Sequence, residues 1–222
     1  MRPTTRGLLA VLGAALALLL AACASGPAVP DWRVNAVGQL ERYQSAWLAG
    51  RGRTAERAFD NARAEVARTG RADLVARVEL TRCALQVASL MFGPCDGFTP
   101  LAEDAGPQER AYAHYLRGQV SASAVAQLPR QHRAIAAGGD DLAAIADPLP
   151  RLIAAGVLLQ QTRIGPEQVA LAVDTASAQG WRRPLLAWLG VQVKLAEQAG
   201  DADAAQRLRR RMDLVQPAAN ED

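Results

Sequence analysis

Lysine is all but missing from this chain. Lys194 is the only one, and arginine supplies every other basic residue. Aromatic residues make up 5% of the 222 residues, and His114 and His132 are the only histidines. There is no glycine-rich phosphate loop, no His-Glu-x-x-His pair and no zinc-ligand spacing, so those chemistries have no footing in the sequence. Neither histidine lies beside a serine or cysteine in a nucleophile motif. Sustained strand alternation is also absent, and abundant Ala, Leu, Arg and Gln favour helix. An excess of one charge is missing too. The formal charge of +3 includes Arg2 and Arg6, and the chain beyond residue 22 carries 23 basic against 22 acidic residues. That near balance argues against nucleic acid as a partner. No cofactor is expected.

The N-terminus carries the clearest signal. Arg2 and Arg6 precede an uncharged run from Gly7 to Leu20, which is too short to span a bilayer comfortably. A positive start, an apolar run and then small residues form a secretory-signal pattern. Leu20-Ala21-Ala22-Cys23 resembles the lipobox of bacterial lipoproteins. The resemblance implies cleavage before Cys23, acylation of that residue, and a protein anchored to a membrane and facing the periplasm. Ala24 stands where Asp would imply retention at the inner membrane, so the outer membrane is the expected location. Removing residues 1–22 leaves 200 residues, enough for one sizeable core or two small ones.

Residues 23–30 read as a lipidated tether, and 31–217 as a single all-α domain with a joint near 138–140. Asp31 is placed to cap a first helix to about Ala49. A second runs from about Thr54 to Thr69, with Ala55, Ala58, Phe59, Ala62 and Val66 in one apolar stripe. A third, Ala72 to Met91, carries no charge from Cys83 onward and should be buried on most sides. Pro107 is placed to open a fourth helix reaching Leu128, where Pro129 ends it. A short helix to Ala137 and Gly138-Gly139 come next. Pro148 and Pro150 read as breakers, and helices at about Arg151–Thr162, Pro166–Ala178, Pro184–Ala199 and Asp201–Val215 complete the chain.

Residues 185–218 resemble one tetratricopeptide-type repeat. Trp188 stands at its aromatic position, Ala204 at its small packing position, Leu208 where Phe is usual, and Pro217 near its terminating proline. The resemblance implies antiparallel helix pairs, stacked as a superhelix or gathered in an irregular bundle. It also implies a groove facing a partner, with Leu186, Leu189, Val193 and Glu197 along it.

Cys83 and Cys95 remain once Cys23 is lipidated. An even pair in an oxidising compartment points to a disulfide, with a redox couple or a metal site shared with His114 as alternatives. The bond would pin the irregular stretch 93–106. Phe92 and Phe98 there are either a cover over the core or a contact for a partner, and Phe98 is the partner-binding candidate. Arg207, Arg209, Arg210 and Arg211 are either solvated arginines complementing a helix end or a contact for acidic groups. Together these features point to a non-catalytic envelope scaffold or adaptor, with an envelope protein as partner. One alternative is a cell-wall enzyme or activator, for which Glu79 and Glu103 are the acids to test. The other is a carrier of a small apolar ligand.

Overall fold

The computed structural model describes residues 29–216, so the expected signal segment and Cys23 lie outside the described residues. These contain nine α-helices and no strand. They are α1 (Asp31–Leu48), α2 (Gly52–Ala67), α3 (Ala72–Ala88), α4 (Pro107–Leu116), α5 (Arg133–Ala136), α6 (Pro148–Gln160), α7 (Pro166–Ala178), α8 (Arg182–Gln198) and α9 (Ala202–Val215). None of them is long and apolar enough to cross a membrane.

The short turns between α1, α2 and α3 force these helices to alternate in direction. The buried face of α2 is Ala55, Ala58, Phe59, Ala62 and Val66, the five positions of the predicted stripe. It packs on Tyr43 and Trp47 of α1, with Tyr43 and Phe59 ring centroids 5.1 Å apart. Helix α3 joins two cores. Val75, Val78 and Leu85 face α1 and α2, while Ala76, Leu80, Cys83, Ala84, Val87 and Ala88 face a larger core that continues to Leu189. A helix buried on two sides needs no single stripe, which is why its second half is uncharged.

Helices α3 and α6 approach closely. A Cβ added at Gly156 would overlap the Val87 carbonyl oxygen and lie 2.8 Å from Val87 Cγ1. Only glycine fits there. Two indoles then bring the ends of the chain onto α3. Trp47 Nε1 donates to Leu85 O, and Trp188 Nε1 donates to Ala88 O, each at 3.2 Å. Arg183 Nε donates to Trp47 O at 2.9 Å, tying α8 to α1. An open array of helix pairs contacts only its neighbours. Contacts between α3 and α6 and between α1 and α8 instead gather these helices into the irregular bundle.

Several helix ends differ from the sequence expectation, each for a local reason. Pro30, not Asp31, is the capping residue of α1, and Asp31 sits in the first turn. Pro148 and Pro150 start α6, with the Asp147 side chain accepting from Leu149 N, because the first turn of a helix has no intrahelical use for a proline's missing N–H. Helix α4 stops at Leu116, not Leu128. Gly118 takes a left-handed conformation at φ +71°, and Gln119 N then donates to His114 O at 2.9 Å. Ala122–Gln127 continues as a 3₁₀ turn. At the expected joint, the Gly138 and Gly139 carbonyls both accept from Arg163.

Candidate functional site

The end of α3 builds the most distinctive surface. Ser89 closes the helix, and Leu90 comes next at φ +58°. Leu90 N then donates to Val87 O, and Met91 N reaches back to Gln86 O at 2.9 Å. This is the six-to-one closure that glycine usually provides, here made with leucine. A left-handed leucine costs about 1–2 kcal/mol. The turn directs Met91 and Phe92 to solvent, 48% and 43% exposed. α3 therefore ends at Ala88, short of the expected Met91.

The segment beyond Phe92 is tied down at several points. Cys83 and Cys95 form a disulfide with Cα atoms 5.6 Å apart. Phe98 turns inward, 7% exposed, and packs in the large core. Gly97 sits on the buried Glu79, whose Oε1 would lie 3.0 Å from a Cβ at that position. Gly106 sits likewise on Glu109, whose Oε2 would lie 2.5 Å from an added Cβ. Each carboxylate accepts from an arginine, Arg63 Nε to Glu79 at 2.6 Å and Arg77 Nε to Glu109 at 2.7 Å. Arg110 adds a donor to Ala105 O. Two buried acids thus lie under the loop at Gly97 and Gly106, and glycine is the residue that can lie against each.

Sequence reasoning missed a second feature, a cleft of about 440 Å³ between α3, α4 and the turn before α5. Arg77, Tyr112, Gln127 and Arg133 stand around it over Leu80 and Leu128. Behind it Tyr112, Tyr115 and His132 cluster, with Tyr115 and His132 ring centroids 4.9 Å apart and Tyr115 Oη 3.2 Å from His132 Nδ1. Burial pushes the His132 pKa down to about 4 and the Tyr112 and Tyr115 hydroxyls above their ordinary value. The imidazole is therefore neutral near pH 7. Tyr112 and His132 are twenty residues apart in sequence and no motif links them, so only the turn of the chain at Pro129 brings them together.

The remaining sequence candidates are scattered. Leu189 is 0% exposed and Val193 8%, Leu189 within the large core, so the chain itself covers these two groove positions. Leu186 is half-buried, and the exposed Glu197 pairs with Arg209. The small residue packed under α8 is Ala205, 1% exposed, one place beyond the predicted Ala204. Arg211 donates to Ser177 Oγ at 3.1 Å. Glu103 lies exposed on the loop, far in character from the buried Glu79. His114 is exposed and 3.1 Å from an Arg117 nitrogen. Among the described residues, no three side chains of His, Cys, Asp or Glu are gathered as a ligand set. No family model, curated protein or solved structure matches this chain.

Proposed function

We propose that this protein is a lipid-anchored, outer-membrane, periplasm-facing adaptor whose partner contact is the Met91–Phe92 edge. The observation that carries the proposal is that edge: two large apolar side chains held in solvent by a strained leucine, beside a segment crosslinked by a disulfide and packed on two buried acids. Protein contacts are enriched in Met and aromatic residues, and a rigid display lowers the ordering cost of binding. The position supports it too. Helix α3 runs in the same direction as α1, so its end lies about 25 Å from the end of the bundle where the tether enters. A contact there faces away from the membrane.

The test is a photo-crosslinking amino acid at Phe92, in cells, with exposed Glu41 as the control position. Phe92 should trap one envelope protein reproducibly, and Phe92→Ala should abolish crosslinking from Met91. Labelling that is the same from both positions would refute the edge.

The cleft favours a second reading, carriage of a small ligand, since sites of about 300–1,000 Å³ hold such molecules. Native mass spectrometry of protein released from envelopes would show a co-purified mass, and Tyr112→Ala would remove it. The wall-enzyme reading has less behind it, because Glu79 is paired with Arg63 and covered at Gly97.

A further inference from the structure

Six large apolar side chains are exposed among the described residues, and three of them, Val29, Val34 and Val37, fall within nine positions at the start of α1. They are 57%, 59% and 51% exposed. Pro30, Val34 and Val37 keep helical spacing on the face opposite Ala36 and Tyr43, which are buried. The same face continues as Glu41 and Ser45, neither of them buried, so the apolar strip ends after two turns. Two turns rise about 10 Å. Amphipathic helices sink about 5–10 Å into the boundary between head groups and acyl chains.

The length of chain before α1 says what covers this strip. Cys23 is six residues from Val29, a reach of about 20 Å at full extension. If Cys23 carries acyl chains, the strip cannot leave the vicinity of the head groups. The charges at this end offset one another. Arg71 pairs with Asp73 and Arg68 with Glu65 on the adjoining α2–α3 turn, and Asp31 and Arg33 in the first turn of α1 carry opposite charges. An apolar strip without a net field suits a zwitterionic lipid surface, whatever its anionic content.

We infer that the segment 29–37 docks onto the lipid surface through Val29, Val34 and Val37, which keeps the start of α1 at the membrane and leaves the Met91–Phe92 edge at the other end of α3. This inference rests on the lipid-anchor reading of Cys23. Trp32, partly buried against the smaller core, lies at the docking end and reports on it. Trp47 and Trp188 are buried, 4% and 0% exposed, near the far end of α3, and the partly exposed Trp181 lies beside Leu48 and Ala49 at the far end of α1.

The full chain purified from envelopes is reconstituted into phosphatidylcholine liposomes brominated on the upper acyl chain. Bromolipid should quench part of the tryptophan emission. Trp32→Phe should abolish the quenching, and Val34→Asp with Val37→Asp should reduce it to the same level while the protein stays in the liposomes. Vesicles with added anionic lipid should give the same quenching. Emission unaffected by bromolipid, or quenching that persists in Trp32→Phe, overturns the docking. Intact mass on the same sample separates the two ideas: an acylated chain without quenching refutes docking and leaves the anchor standing. If the mass shows no acyl chains, the anchor reading fails. Docking is then read on the chain from Cys23 onward, which keeps every described residue, coupled through the Cys23 thiol to a maleimide lipid. Quenching there supports the strip as a lipid-docking surface in its own right, and none overturns it.

Discussion

Two glycines in helix interiors should respond to the same substitution with opposite signs. Gly156 lies in α6 against α3, where an added Cβ would overlap Val87 O and approach Val87 Cγ1 to 2.8 Å and the Val87 carbonyl carbon to 3.1 Å. Two of these three atoms are backbone, so no rotamer change relieves the contact and the helices must separate. Overpacking of this kind costs about 1–3 kcal/mol. Replacing a mid-helix glycine by alanine returns up to about 1 kcal/mol. Gly156→Ala should therefore destabilise the fold by about 1–2 kcal/mol. Gly190 lies inside α8 with nothing within 4 Å of its would-be Cβ. There the helix gain stands alone, and Gly190→Ala should stabilise by about 0.5–1 kcal/mol. At about 2–4 °C per kcal/mol for a domain of this size, the two variants should melt on opposite sides of the parent. Urea unfolding monitored by circular dichroism measures both. If Gly156→Ala gains stability as Gly190→Ala does, α3 and α6 are not in backbone contact and the packing described for the core is wrong.

The same contacts carry three further outcomes. Replacing Cys83 and Cys95 by serine should lower stability by about 3 kcal/mol in the chain-entropy model for so short a loop, and a reductant should give the same loss in the parent; equal urea midpoints with and without reductant would refute it. His132 is depressed in the fold to about 4 from its ordinary 6.5, so the unfolded chain takes up a proton first as pH falls; its contribution is complete above about pH 6.5 and lost by about pH 4, about 3 kcal/mol in all, and His132→Gln should flatten that part of the stability profile, an unchanged profile refuting it. Thr162 ends α6 at φ +53° with its side chain exposed, so Thr162→Gly should raise the melting temperature by relieving about 1 kcal/mol of left-handed strain; a lower melting temperature would show that its hydroxyl contact to Gln161 O outweighs the strain.

How far the sequence was legible depended on whether the deciding interaction was local. The stripe from Ala55 to Val66 is a property of α2 alone, and it was read correctly to the residue. The disulfide was legible from an even pair of cysteines and the compartment the N-terminus led one to expect, and Asp201 caps α9 through Ala204 N as a local rule predicts. Helix ends were harder. Gly118 is a stop signal as good as any, but the apolar spacing of Tyr112, Leu116 and Val120 reads straight through it, and Pro148 breaks or begins a helix according to the residues before it. Positions defined by packing were least legible. Leu189 and Val193 lie on one face of α8, and both are buried only once neighbouring helices pack on α8. The cleft needs three elements that are distant in sequence, so no spacing announces it.

Leu90 shows why the far end of α3 is more than a frayed helix terminus. Gly50, Gly118, Gly180 and Gly200 make the equivalent closures of α1, α4, α7 and α8, each at positive φ. Glycine was thus accessible to this chain at that position and would be free of strain. Leucine keeps the strain but adds a side chain that packs against the large core. That contact fixes the direction in which the next two residues leave the helix. Ala88 O, which the helix cannot satisfy, accepts from Trp188, and Ser89 Oγ accepts from Trp47, so both neighbouring helices brace the same terminus. Seven residues later the chain is held again by Gly97 on Glu79, with the disulfide between. A segment fixed at both ends around two exposed apolar side chains has little conformational freedom left to lose on binding. For a surface this small, low ordering cost is what makes a specific contact achievable.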